Sequence, residues 1–217
     1  MRISIMQPYF MPYAGYFRLI SSTDLFIIYD CVQFIRNGWI HRNKLPNLIG
    51  KIEWLTLPIK KIPRNSKINE IRLVENAKDI FRTRLEKFLI TNTNDEFQKD
   101  IIDKLLTNEL HLSIYLQDLI KIVCNLFGFH TNFITSSSLN IPIEYKGQDR
   151  IIEICKRVGA TSYLNSPGGM SLYSENCFTK NKIKLEFLKP YIGNQYSILY
   201  RLLNEQIVDI KNEITNQ

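Results

Sequence analysis

Histidine is scarce in this chain of 217 residues: three copies, at 41, 111 and 130, none beside another. Cysteine is scarce too. The four copies, at 31, 124, 155 and 177, are far apart and form no Cys-x-x-Cys pair. No zinc-type ligand set is therefore present in the sequence. Cys124 and Cys155 fall inside apolar helical patterns and read as core thiols. Long apolar runs are missing as well. The run Leu25 to Tyr29 is closed by Asp24 and Asp30, and nothing approaches the roughly 20 residues of a membrane helix. The start, Met1-Arg2-Ile3-Ser4-Ile5-Met6-Gln7, has too short an apolar stretch for a signal peptide. A cytoplasmic protein with no metal is the expectation. Apolar residues at 45% and charged residues at 23% are the mixture of a globular chain, which excludes a disordered one.

The charge is concentrated. Arg36, Arg42, Lys44, Lys51, Lys60, Lys61, Arg64, Lys67 and Arg72 face only Glu53 and Glu70 in the same stretch. The net charge of +7 therefore arises between 36 and 72, and the remainder of the chain is neutral. Such an excess suits an anionic partner such as a nucleotide or phosphate. The plainer reading is a solvated basic hairpin. Few aromatics lie among these residues, only Trp39 and Trp54 as tryptophans, so nucleic acid is not the expected partner.

Residues 2–6 read as a strand that ends at Gln7-Pro8. Gly15 to Ser21 reads as a short helix, and 25–30 as a buried parallel strand. Residues 54–59 and 68–74 read as a hairpin or meander around a basic loop, with Pro58 marking an edge. Helical patterns follow at 76–90, 100–106 and 113–127, with Gly128 as a cap. Strands at 131–135, 161–164 and 182–188 alternate with a helix at 149–158. A single amphipathic helix spans 197–214. This alternation predicts one three-layer α/β domain, mainly parallel, with a helical middle at 76–128 and a basic β-hairpin.

In parallel sheets, ligands bind beyond the carboxyl ends of the strands. Gln7 and Tyr9 follow the first strand, Asp30 and Gln33 the second, and Asn165, Ser166, Gly168 and Gly169 a later one. A carboxylate emerging from a buried strand needs a cation or donors, and Asp30 finds candidates in His41 and Arg42. His41 is a candidate general base, against the plainer reading of a surface histidine. Arg42 is the best phosphate ligand of the set because its fork is bidentate. Tyr9, Tyr13 and Trp39 read first as packing residues, each also able to stack on a sugar, and Asn43 completes the cluster. Gly15 permits a helix to begin against a ligand. Cys31 lacks an adjacent base, which weighs against a nucleophilic role. We expect these groups to converge on one pocket, with Arg36, Arg42, Lys44, Lys60, Lys61 and Arg64 forming a positive rim.

The longest motifs are Gln7-Pro8-Tyr9-Phe10-Met11-Pro12-Tyr13-Ala14-Gly15-Tyr16-Phe17, then Asp24 to Phe34, then Trp39-Ile40-His41-Arg42-Asn43, then Trp54-Leu55-Thr56-Leu57-Pro58. Later come Ala160 to Gly169, Leu172-Tyr173 and Gln195-Tyr196. In these the chain resembles the WbqC-like family of bacterial surface-polysaccharide gene clusters. Phe10 and Met11 depart from the Tyr and Phe of that pattern, and Cys31 stands where many members have a second Asp. The resemblance implies a place in building lipopolysaccharide O-antigen or a similar glycan. It implies an enzyme that transfers an acyl or aminoacyl group to the amine of a nucleotide-linked amino sugar. Asp30 and His41 would be catalytic. Gln7, Tyr9, Gln33, Trp39, Arg42, Asn43, Asn165, Ser166, Gly168 and Tyr173 would bind substrate. No cofactor would be held permanently; the acyl donor would arrive on coenzyme A or an acyl carrier protein.

Two other readings stand beside it. One is a non-catalytic binder of nucleotide sugars or nucleic acid. The other is an adenylate-forming ligase of the nucleotidylyltransferase type, to which the order of early elements is analogous. Such enzymes carry a His-x-Gly-His step after the first strand; here Tyr13 and Tyr16 stand at the histidine positions.

Overall fold

The computed structural model describes residues 1–89 and 95–217. Strand β1 (Arg2–Met6) is followed by α1 (Ala14–Ser21), β2 (Leu25–Ile28), β3 (Arg42–Pro46) and β4 (Ile52–Thr56). The helical middle is α2 (Ala77–Leu85), α3 (Glu96–Leu105) and α4 (Leu112–Leu126). Then come β5 (Asn132–Thr135), α5 (Gly147–Arg157), β6 (Ser162–Asn165), α6 (Glu175–Lys180), β7 (Lys184–Phe187), α7 (Ile198–Asn204) and α8 (Ile207–Thr215).

All four residues of β2 are buried because both of its faces are covered, which is why its sequence shows no polar alternation. It pairs in parallel with β1, Ile3 opposite Leu25 and Ile5 opposite Ile27. Five strands make one parallel sheet in the order β5-β2-β1-β6-β7. Counted along the sheet's own strands this is 3-2-1-4-5, a doubly wound order whose direction reverses between β1 and β6.

Alternate residues of each strand divide the core in two. Phe26, Ile28 and Leu164 pack with α1, α4, α7 and α8 on one face. Ile3, Ile5, Ile27 and Tyr163 pack with α5 and α6 on the other. Sheet and two helical layers give the three layers that the sequence predicts. The first of these cores also takes in Phe81, Leu85, Ile101 and Leu105, so the helical middle shares it with the sheet.

Three expectations need correction. The basic hairpin pairs β3 with β4, Lys44 opposite Trp54, rather than 54–59 with 68–74. Between the latter segments only Ile59 and Leu73 form an isolated bridge. The helix expected over 76–90 ends at Leu85, and Ile90 lies outside the described residues. The expected single C-terminal helix is two, because Glu205 and Gln206 turn to extended backbone between α7 and α8.

Candidate functional site

A cleft of about 500 Å3 opens beyond the carboxyl ends of β1, β6 and β7. Tyr9, Pro12 and Tyr13 come from the loop after β1, Pro167 follows β6, and Pro190, Tyr191 and Gln195 follow β7. Trp39 and Asn43 close it from the hairpin side. This is the switch point between β1 and β6, where a doubly wound sheet opens its ligand crevice.

The loop after β1 is held from both ends of the chain. Asn43, buried on the inward face of β3, donates through Nδ2 to the carbonyl oxygens of Phe10 (3.0 Å) and Met11 (2.7 Å). Its Oδ1 accepts from the Lys44 amide at 2.8 Å. Met11 takes a positive φ of 43°, a conformation uncommon outside glycine. Ser197 Oγ donates to the same Met11 carbonyl at 2.7 Å, and the Ile198 amide donates to Pro12. Trp39 anchors the loop from the other side, its carbonyl accepting the Phe10 amide.

Gly15 has a different purpose from the one expected. A Cβ there would sit 2.3 Å from the Tyr13 ring, so the space above the first turn of α1 is filled by that ring. Tyr13 in turn packs edge-on against Tyr191 across the cleft, with centroids 5.5 Å apart. Gly169 likewise leaves room for the Asn165 side chain, whose Nδ2 would lie 2.6 Å from a Cβ. Tyr191 and α8 are fastened by Arg201, buried at 2% exposure, which pairs with Glu205 and Glu213; Tyr191 also donates to Glu213. Burial pushes the Tyr9 and Tyr13 hydroxyls up, so both are neutral phenols at pH 7.

Of the residues singled out in the sequence, Tyr9, Tyr13, Trp39 and Asn43 line the cleft. The others lie outside its lining. Asp30 is 2% exposed and wrapped by hydroxyl donors. Ser136 Oγ (3.0 Å) and the Ser137 amide (2.9 Å) donate to Oδ1. Ser137 Oγ (2.7 Å) and Ser113 Oγ (3.4 Å) donate to Oδ2. Its donors are thus serines of the β5 end and α4, not His41 or Arg42. Cys31 beside it meets Ser136 Oγ and Arg150 Nη2.

His41 is a core residue packed on Phe34 at 5.1 Å, with Nδ1 buried and unpartnered. Burial first, then Arg42 and Arg84, lower its pKa to about 4. At pH 7 it is a neutral, weak base. Arg42 spends Nε and Nη2 on the carbonyls of Gly38 and Asn37 and lies 4.0 Å over Trp54. Gln33 donates to the Arg64 carbonyl, and the Gln7 carbonyl accepts from Tyr16. Asn165 Oδ1 accepts from the Ser166 amide. Gly168 stands exposed on the turn after β6, with open space around it. Tyr173 packs among Tyr163, Phe178 and Phe187.

None of Arg36, Arg42, Lys44, Lys60, Lys61 and Arg64, expected as a positive rim, stands in the lining itself. Arg36 donates to Ile62 and Lys60 pairs with Glu75, while Arg42 and Lys44 lie over Trp54, which packs on Trp39 at 5.0 Å. Among the described residues no cluster of His, Cys, Asp and Glu gathers as a metal site would need.

Sequence reasoning missed Pro12, Pro167, Pro190 and Tyr191 as lining. Prolines and tyrosines carry no charge to attract notice. Their signal was position, a few residues beyond strand ends.

The fold and cleft define a doubly wound α/β protein with a cleft at its switch point. A model of the WbqC-like protein family matches residues 7–203, and the chain belongs to that family. Over 189 residues it is 27% identical to the uncharacterized protein Rv1507c of Mycobacterium tuberculosis (strain ATCC 25618 / H37Rv), covering 85% of this chain and 80% of that one. No significant match to a solved structure was found.

Proposed function

We propose that the protein is a transferase of surface-polysaccharide synthesis that binds a nucleotide-linked amino sugar in this cleft and moves an acyl or aminoacyl group onto its amine. The observation that carries the reading is the cleft's place at the β1–β6 switch point with walls of Tyr9, Tyr13, Trp39 and Tyr191. Aromatic faces stack on bases and on the apolar faces of sugars, and the Gln195 amide offers a donor and an acceptor to hydroxyls. Arg42 and Lys44, at 4.0 and 5.0 Å from the Trp54 ring, bring positive charge near the Trp39 wall for a diphosphate.

In the step itself the amine attacks the carbonyl carbon of a thioester carried on coenzyme A or a carrier protein. The C–N bond forms, the C–S bond breaks, and the thiol leaves with the proton the amine gives up. Among the described residues no imidazole, carboxylate or thiol stands in the lining, so the step as proposed draws its rate from proximity and orientation. The same observation favours a second reading, a non-catalytic nucleotide-sugar binder. Adenylyl transfer loses ground, since Tyr16 is buried and spent on the Gln7 carbonyl.

The test is a mass-spectrometric product assay with nucleotide-linked amino sugars and acyl-coenzyme A, run beside melting curves. A rise in Tm with the nucleotide sugar and not with duplex DNA, plus an N-acylated product that Trp39→Ala abolishes, is the expected result. Binding without product leaves the second reading. No Tm shift with any nucleotide sugar overturns both.

A further inference from the structure

The turn joining β3 to β4 displays two large apolar side chains to solvent. Leu48 is 58% exposed and Ile49 86%, and Ile52 beside them is 52% exposed. This turn is a built structure. Asn47 Oδ1 accepts from the Ile49 amide (3.1 Å) and the Lys51 amide (2.9 Å), and the Gly50 amide donates to the Asn47 carbonyl (2.8 Å). Below it, the Leu48 amide donates to the Lys87 carbonyl, which seats the turn on the segment after α2. The fold gains nothing from pointing these side chains outward, since neither joins either core.

The outward face of the hairpin continues the pattern. Asn43, Leu45 and Leu55 point into the core, while Arg42, Lys44, Ile52 and Trp54 point away, and exposed Trp39 packs on Trp54. Lys51 flanks the turn, with Glu53 paired to it at 3.1 Å. An apolar tip, two exposed tryptophans and basic side chains thus share one surface. They lie in the segment that holds the chain's whole net charge of +7.

We propose that this hairpin docks the protein on an anionic lipid bilayer, with Leu48 and Ile49 entering the headgroup–acyl boundary and Lys44 and Lys51 meeting acidic headgroups. Three observations converge on a bilayer. Apolar tips enter the acyl boundary, tryptophans favour the membrane interface, and basic side chains are drawn to an acidic leaflet. Among the described residues no helix is long and apolar enough to cross a membrane, so this contact is peripheral. Trp39 belongs both to this surface and to the cleft wall, so docking brings the cleft toward the bilayer. The inference does not depend on the reaction proposed above.

The test is co-sedimentation of the whole protein with vesicles. One set is phosphatidylcholine alone, the other has a quarter of its lipid replaced by phosphatidylglycerol. The wild type should pellet with the anionic vesicles at low salt, much less at 0.5 M salt, and not with the neutral ones. Leu48→Ser combined with Ile49→Ser should weaken binding about tenfold or more. Lys44→Gln and Lys51→Gln should each weaken it roughly fivefold. All four positions are exposed, and an unchanged Tm checks that the variants are folded. The proposal is overturned if the wild type ignores anionic vesicles at low salt, or if the serine variant binds them as well as the wild type. It is overturned equally if the tip mediates a dimer that the serine variant dissolves, or if duplex DNA is bound and vesicles are not.

Discussion

Replacing Asn43 with alanine should unfasten the loop that forms one wall of the cleft. The side chain is buried, and its Nδ2 is the donor that holds the carbonyls of Phe10 and Met11 together. Each of these bonds contributes about 1 kcal/mol net, and a buried carbonyl left without a donor costs about 1–3 kcal/mol more. The Met11 carbonyl keeps Ser197 Oγ, so the orphan is Phe10. Met11 at φ 43° stays in that sparse region only while its surroundings enforce it. A loss of roughly 3 kcal/mol follows, or about 6–12 °C in Tm for a chain of this size. Asn43→Asp should be worse at pH 7, because a carboxylate would face two carbonyl oxygens with no proton to offer. Urea and thermal unfolding measure the first effect, and nucleotide-sugar titration of the folded fraction measures the loosening of Tyr9, Pro12 and Tyr13. If Asn43→Ala costs under about 1 kcal/mol and binding is unchanged, the loop is held by other contacts and this account of the motif is wrong.

Three further outcomes are expected. Gly15→Ala lies in α1, where alanine normally gains about 1 kcal/mol, yet its Cβ meets the Tyr13 ring at 2.3 Å; a melting curve showing net stabilisation would mean that the ring swings away freely. His41 has its pKa lowered from 6.5 to about 4, so the unfolded chain binds the proton first. Its contribution is complete above pH 6.5 and is lost as pH falls toward 4; allowing for solvent screening it is on the order of 2 kcal/mol, and His41→Phe should flatten that acid branch in a Tm-against-pH series. Burial pushes the thiols of Cys124 and Cys155 up to about 12, whereas Cys31 and Cys177 are half-buried. Alkylation of the native protein near pH 7.5 should therefore label Cys31 and Cys177 alone, with the other two appearing only in denaturant; rapid labelling of Cys124 would contradict this core.

Strand β2 was legible because burial on both faces writes itself as an uninterrupted apolar run, Leu25 to Ile28. The hairpin was not. Its inward face carries Asn43 beside Leu45, so β3 shows no apolar alternation, while Trp54 to Ile59 looks like a better strand than it is. The break between α7 and α8 was hidden for the opposite reason. Leu203, Ile207, Ile210 and Ile214 keep helical spacing across Glu205 and Gln206, and periodicity does not register a turn that preserves its phase. Asp30 shows a third limit. Its need for partners follows from burial, but hydroxyls supplied from α4 and the β5 end, 83 to 107 residues away, leave no local trace in the sequence. The cleft's polar and charged candidates drew attention through their chemistry, while the residues that shape it are mostly aromatic rings and prolines.

The hydrogen bond from Ser197 to Met11 spans 186 residues. During synthesis the loop after β1 emerges first and waits for nearly the whole chain before its second clamp exists. Pro167, Pro190 and Tyr191 arrive late as well, so a nascent chain holds one wall of the cleft without the other. The nucleotide-sugar affinity proposed for the cleft would therefore be a property of the finished molecule, and a bound nucleotide sugar would report that the last helices have docked. A chain cut before Ser197 would lose not only this clamp but also Ile198, Leu199, Leu202, Ile210 and Ile214 from the core against which one face of the sheet packs.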